Sequence, residues 1–301
     1  MDRLDELAIF VAIIEAGSLA AAARRLRRSP PAVTRALAAL EQRLGTRLVE
    51  RTTRRLAPTE TGRRLAEQSR RLLTDFSDAV RLGSDEASSL RGFLRITAPL
   101  VFGRLHVMPL LSGFLDQHEA LQAELVLSDR YLDMVEDGLD VAVRIGRLAD
   151  SGLVARRVGQ VRRVLVASPE YLSARGSPAC PGDLRSHAII FTSGRPVQME
   201  WRFEANGRRV VVRVSPRLIV NQVDAALLAA REGRGIASAL SYQVADDVTA
   251  GRLVRLLRPW EGAPLPVQLV VPGSRYMAAR VRAFLDYAAD GLATLDVLRT
   301  E

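Results

Sequence analysis

"SLAAAARRLRRSPPAVTRALAALEQRLG", Ser18 to Gly45, carries two helix-start signals, one stop signal and a dense basic load. Ser18 stands where a hydroxyl can cap a helix running through the alanines to Leu26, with Leu19, Ala22, Ala23 and Leu26 turned inward. The small side chains let a neighbouring helix approach closely. Arg27 and Arg28 make the break. Ser29 is a second N-cap, and Pro30 follows at the first helical position, where a missing N–H costs nothing. The spacing predicts a second helix with Val33, Leu37, Leu40 and Leu44 on its inner face and a stop at Gly45. Two short helices joined by a tight turn, the second presenting Pro31, Thr34, Arg35 and Ala38 outward, predict a helix-turn-helix whose second helix suits the major groove of DNA.

The flanks extend this unit. Upstream, Leu4, Leu7, Phe10, Val11 and Ile14 repeat with helical spacing and end near Gly17. Downstream, "TRLVERTTRRLAPT" alternates as a two-stranded wing, with Arg51, Arg54 and Arg55 near its tip, where arginines can bind phosphates or enter the minor groove. Thr59 then caps a long helix reaching about Leu82. Its Leu65, Ser69, Leu72, Phe76 and Ala79 follow alternating steps of four and three, a coiled-coil seam that predicts self-association. "GSDEASSLRG", Gly83 to Gly92, reads as a polar hinge.

Charge agrees with this reading. The 301 residues hold 43 basic and 34 acidic side chains, a net of +9, and residues 17–65 alone hold twelve arginines against three acids, again +9. The excess is local, as expected of a docking face for a polyanion on a neutral body. Lysine is absent, which removes P-loop lysines, Schiff bases and Ser-Lys dyads. One cysteine, Cys180, excludes an intramolecular disulfide and a cysteine-rich zinc site. His106, His118 and His187 are scattered, so neither a metal pair nor a base-nucleophile set emerges, and no enzyme or cofactor is expected. The N-terminal apolar run, Leu7 to Ile14, sits among four acids and is too short to span a bilayer, which predicts a cytoplasmic protein without a membrane partner.

From Gly92 onward short apolar strands alternate with helical patterns, an α/β arrangement. "FLRITA", "QAELVLSD" and "LDVAVRIG" read as strands, "GRLHVMPLLSGFLDQH" and "RYLDMVEDG" as helices, and "RRVLVASP" as the entry to a second lobe with "HAIIFTSG", "WRF", "RVVVRV" and a helix from Asn221 to Glu232. "PVQLVV" returns to the first lobe, and a helix from Arg275 to Ala289 closes it.

The stretch from Ser18 to Gly62, together with "GFLRITAP", "MPLLSGFL", "DGLDVAVRIG", "RRVLVASPEYL" and "REGRGIASAL", resembles the LysR-type transcriptional regulators along essentially the whole chain. The resemblance implies an N-terminal winged helix-turn-helix, a dimerising linker helix and a C-terminal two-lobed effector domain like the periplasmic binding proteins. The expected divisions are 1–58, 59–91 and 92–301, with lobe I at 92–164 and 267–301 and lobe II at 165–266. The implied partners are double-stranded DNA, a small-molecule effector, anionic or aromatic, and further copies of the chain in a homodimer or homotetramer. The competing reading is a two-lobed solute-binding protein or enzyme with a helical appendage, which leaves the localised charge unexplained.

Candidate DNA contacts are Ser29, Pro31, Thr34, Arg35, Arg51, Arg54 and Arg55. The family commonly places a Gln or similar polar residue where Pro30 stands here, so base readout falls on Thr34, Arg35 and the wing. Ligands in open parallel sheets bind beyond the carboxyl ends of strands, which selects Thr97, Pro99, Ser128, Arg144, Thr192, Ser193 and Asn221 as effector candidates. Helix starts after Pro99, Ser128 and Val220 would point N–H groups at an anion, and Arg144 could pair with a carboxylate. For the Ser and Thr residues ordinary capping is the competing role, and for Arg144 a structural ion pair.

Overall fold

The computed structural model describes residues 2–51, 56–81, 90–148, 152–192, 199–205, 208–273 and 277–299, with residues 51, 71, 75, 77–81 and 208 described through their backbone alone. The chain forms two compact units. One comprises Met1–Leu94 with His118–Ala123 and Arg275–Arg282, the other Arg95–Gln117, Glu124–Ser274 and Ala283–Glu301.

Three helices build the head of the first unit: α1 (Arg3–Ala16), α2 (Leu19–Arg25) and α3 (Pro30–Leu44). Gly17 and Gly45 end α1 and α3 with φ of 61° and 66°, values that glycine adopts without a Cβ penalty. Ile9, Phe10, Ile13, Ala22, Ala23, Val33, Ala36, Leu37 and Leu40 make one core. Full burial of side chains such as Phe10 and Ile13 is worth about 1.5–3 kcal/mol each, so this cluster is what holds three short helices together. Of the expected stripe Phe10 and Val11 are buried and Leu7 and Ile14 pack on the core, and Ile9 and Ile13 join them because α1 is covered on several sides by α2, α3 and α4 (Glu60–Arg81). Leu44, expected inward, is 46% exposed at the last turn of α3.

A short antiparallel pair, β1 (Val49–Arg51) and β2 (Leu56–Pro58), forms the wing, with Arg51 opposite Leu56. The expected seam of α4 divides in two. Leu65, Ala66 and Ser69 turn toward the head, Ser69 being buried, whereas Leu72 and Phe76 are 47% and 51% exposed. The proximal half therefore serves intramolecular packing, and Ala79 has no described side chain.

In the second part of the chain β3 (Gly92–Ala98), β4 (Leu121–Leu127), β5 (Val141–Ile145), β6 (Leu153–Val161) and β14 (Leu265–Pro272) form sheet I in the order β4-β3-β5-β14-β6. Sheet II has the order β11-β8-β12-β7-β13, from β7 (Arg163–Ala167), β8 (Ile189–Thr192), β11 (Pro216–Val220), β12 (Ile236–Leu240) and β13 (Val254–Leu256). A hairpin of β9 (Glu200–Ala205) and β10 (Arg208–Arg213) lies beside it in sequence. The chain crosses from sheet I to sheet II at Arg162 and returns between β13 and β14. Both sheets are mixed rather than parallel: β14 runs antiparallel to β5 and β6, and β7 antiparallel to β12 and β13.

The helices are α5 (Leu100–Phe102), a π-helical segment (Gly103–Val107), α6 (Met108–Asp116), α7 (Pro169–Arg175), α8 (Val223–Arg231), α9 (Ser241–Thr249) and α10 (Ala279–Ala293). The helix expected at Arg130–Gly138 is a single turn. Asp133 binds the Val135 and Glu136 N–H groups at 2.8 and 2.9 Å, and Gly138 at φ 58° ends it at once. Among the described residues no single helix is long and apolar enough to cross a membrane.

Candidate functional site

The acids of α1 sort the arginines of the head. Arg28 forms a two-point pair with Asp5 at 2.7 and 2.9 Å, Arg25 pairs with Glu15 at 2.7 Å, and Arg43 pairs with the buried carboxylate of Glu6. Arg64 takes Glu60 one turn earlier on α4. Arg24, Arg27, Arg35 and Arg47 are exposed and have no acid partner among the described residues. The positive charge on offer is thus concentrated at the turn, on the outer face of α3 and before the wing. Arg27 occupies the turn itself at φ 51°, a left-handed conformation costing about 1–2 kcal/mol for a residue with a Cβ, which lets Arg28 N–H reach the Ala23 carbonyl at 2.9 Å.

Ser29 occupies the N-cap position of α3, but its hydroxyl makes no cap bond. The reason is local. A capping oxygen serves the second or third helical N–H; Pro31 has none, and Ala32 N–H already reaches the Ser29 carbonyl at 3.0 Å. Ser29, Pro31 and Arg35 are exposed on one end of α3, and half-buried Thr34 donates its hydroxyl to the Pro30 carbonyl at 3.0 Å while keeping its acceptor lone pairs. Arg51 lies at the end of β1 with no described side chain, and Arg54 and Arg55 fall outside the described residues.

Two ties fix the wing. Glu41 accepts from Leu48 and Val49 N–H at 2.8 and 3.2 Å, joining α3 to β1. Thr59 caps α4 through Gly62 N–H at 2.9 Å, donates its hydroxyl to Arg47 C=O and its N–H to Leu48 C=O, both at 3.0 Å. A Cβ on Gly62 would lie 2.0 Å from the Leu48 carbonyl oxygen, so only glycine permits this approach.

The effector candidates divide sharply. Thr97 is fully buried and donates to the Val126 carbonyl at 2.9 Å, bracing β3 on β4 rather than facing a ligand. Ser128 closes a two-residue turn on Arg130, the capping role, and no helix begins there. Pro99 precedes α5, where the first N–H, Leu100, is already held by the Asp129 carboxylate at 3.0 Å. Asn221 is exposed just before α8, whose first turn carries Asp224. The first N–H of α5 is therefore supplied with a carboxylate by the chain itself, whereas the Asp224 carboxylate of α8 pairs with Arg104. Arg144 binds the Leu132 carbonyl at 2.9 Å and lies 4.5 Å from the centre of the Tyr131 ring, and the acid partner of the competing reading is absent among the described residues. Burial lowers its pKa, with Tyr131 opposing. Thr192 ends β8 with a buried hydroxyl that has no described partner, and Ser193 lies outside the described residues.

Contacts between the two lobes come from residues that were not singled out by position. Arg104, in the π-helical segment, pairs with Asp224 of α8 at 2.9 Å. Phe102 and His106 meet Tyr242 of α9 edge-on, with ring centres 5.2 and 5.6 Å apart. Burial lowers the His106 pKa against an opposing pull from Asp246, and its Nε2 has no partner among the described residues. Burial also raises Tyr242, with Asp129 and Asp224 adding to the shift. A neutral, ring-lined seam flanked by one ion pair joins the lobes.

A winged helix-turn-helix followed by two mixed α/β lobes is the architecture of a ligand-responsive DNA-binding regulator, and comparison with known proteins specifies which. Residues 4–63 match the family described as "Bacterial regulatory helix-turn-helix protein, lysR family", and residues 87–293 match "LysR substrate binding domain". The chain belongs to the LysR-type transcriptional regulators. It is 35% identical over 284 residues to the regulator PtxR of Pseudomonas aeruginosa, covering 94% of this chain and 91% of that protein. With the probable regulator LtrA of Klebsiella pneumoniae it shares 30% over 304 residues, covering 100% and 98%. The solved structure of CrgA from Neisseria meningitidis aligns at 28% identity and a TM-score of 0.61 over 98% of this chain and all of that one. The full-length Vibrio cholerae activator AphB aligns at 28% and 0.60 over 96% and 99%. These relatives are transcriptional regulators, and so is this chain; it is not an enzyme.

Proposed function

We propose that the head reads paired half-sites on double-stranded DNA through Ser29, Pro31, Thr34 and Arg35 at the start of α3, and that Arg51, Arg54 and Arg55 of the wing follow the adjoining backbone. The observation that carries this is the sorting of charge: acids of α1 neutralise the arginines on the inner side and leave Arg24, Arg27, Arg35 and Arg47 open. DNA affinity then falls steeply with salt, because each neutralised phosphate releases counterions. Salt-insensitive binding in a filter or mobility-shift assay overturns this reading.

The working assembly is a homodimer or homotetramer in the cytoplasm, joined through the distal half of α4, where Leu72 and Phe76 are exposed. Leu72→Asp sets a charge against apolar partners and weakens the dimer in light scattering; an unchanged mass rejects this surface. A small effector binds between the lobes and changes their closure, and with it the spacing of the DNA-binding heads. It shifts that balance only by its difference in affinity for the two arrangements. Asp129 on the first N–H of α5 argues against a free carboxylate there, so the aromatic half of the sequence expectation is favoured for this cleft over the anionic half. An Asp224→Asn variant that still binds DNA but shows an altered footprint response to inducer supports a gating cleft; an unaltered response places the gate elsewhere.

A further inference from the structure

Lobe II holds a cavity of about 360 Å³ on one face of sheet II, enclosed by β9 and the return segment 256–265. It shares none of Phe102, Arg104, His106, Asp129, Asp224 or Tyr242 with the interlobe seam. Its volume lies in the range of small-molecule sites. Trp201, Phe203 and Trp260 supply aromatic wall, and Phe191 lies nearly parallel to Trp201, with 14° between the ring planes.

Its polar groups are placed at one end. The register sets Ser238 opposite Leu165, so Arg163, two residues along β7 on the same face, is its diagonal neighbour at roughly 7 Å. The Ser238 hydroxyl on this face is buried with no hydrogen-bond partner among the described residues, a state that polar groups avoid unless something else satisfies them. Arg163 has no acid partner among the described residues; surrounding protein lowers its pKa, yet it stays open to solvent. The two acids of the lining are engaged elsewhere, Glu200 with Arg213 at 3.3 Å and Glu261 with Arg255. Among the described residues the lining is left with two arginines without an acid partner, Arg163 and Arg202, one unpaired hydroxyl and a wall of rings, and of the two arginines Arg163 stands on the strand next to Ser238.

We propose that this cavity is a second ligand site that takes a small aromatic carboxylate of one or two rings, its carboxylate on Arg163 and Ser238 and its ring against Trp201 and Trp260. The site stands independently of the interlobe effector. The chain contains two tryptophans and both line this cavity, so intrinsic fluorescence reports on its occupancy directly.

Titrating the full chain with benzoate, phenylacetate and indole-3-acetate, with heat as a second readout, tests it. At least one acid gives a saturable change in tryptophan emission, its neutral amide binds about tenfold or more weakly, and Arg163→Gln loses a similar factor, the scale of a charge-assisted bond. Ser238→Ala, which removes one oxygen and keeps the strand, gives a loss of a few-fold and carries the test if Arg163→Gln perturbs folding. Asp224→Asn leaves the titration unchanged. No saturable signal for all three acids, an amide that binds as tightly as its acid, or a loss on Asp224→Asn with none on Ser238→Ala overturns the proposal.

Discussion

The starts of α3 and α5 both carry proline, yet they face opposite electrostatic surroundings. At α3 no acid stands in the first turn, two prolines remove N–H groups, the Ser29 hydroxyl stays unused, and the nearby free side chains are arginines. At α5 the chain delivers the Asp129 carboxylate to the first N–H. A helix start attracts an outside anion only where the fold has not already supplied one. The head keeps its field for a partner, while the start of α5 spends its own internally.

The largest effect that would break this contrast concerns the head. Arg35→Ala is expected to weaken operator binding by about 10- to 100-fold and to flatten its salt dependence, as for loss of a direct contact; retained affinity in a mobility-shift titration would show that α3 does not carry the interaction. Next comes Gly62→Ala, which forces a methyl onto the Leu48 carbonyl and is expected to destabilise the head by about 1–3 kcal/mol in urea unfolding. A silent substitution there would mean that α4 and the wing are not welded. Asp129→Ala leaves Leu100 N–H without its carboxylate and should cost the effector unit about 0.5–1 kcal/mol; if stability rises, that carboxylate was a burden held for a ligand. Smallest is Arg27→Gly, which relieves a positive φ at the price of a freer unfolded chain and should raise thermal stability by no more than about 1 kcal/mol, with some loss of DNA affinity. A clear drop in stability would mean that the Arg27 side chain holds the turn.

Local chemistry was legible because it is written in neighbouring residues. The caps at Ser18 and Thr59, the glycine stops at Gly17 and Gly45 and the strand patterns of both lobes each follow from a few adjacent side chains. Contacts closed by distant residues were not legible. Nothing near Pro99 announces that Asp129 will occupy its helix start, nor does spacing reveal that Glu41 holds the wing or that Ser69 turns toward the head. The Arg130–Gly138 segment failed for a different reason: its apolar residues suit a helix, but Asp133 spends its carboxylate on the next two N–H groups and Gly138 stops the chain after one turn. At the site level the arginine-rich face was readable from composition, whereas Arg104 and Tyr242 emerge only when α8 and α9 come against the π-helical segment.

The corner at Thr59 and Gly62 has a mechanical consequence. Three hydrogen bonds and a methyl-free contact make the wing and the first turn of α4 a single stiff piece, so the helix acts on the wing as a lever without a joint. With 22 residues α4 is ~33 Å long, and a sideways shift of ~3 Å at its far end tilts the wing by ~5°. A strain applied to the distal turns is thereby converted, without any change inside the head, into a new angle at which the wing meets the duplex.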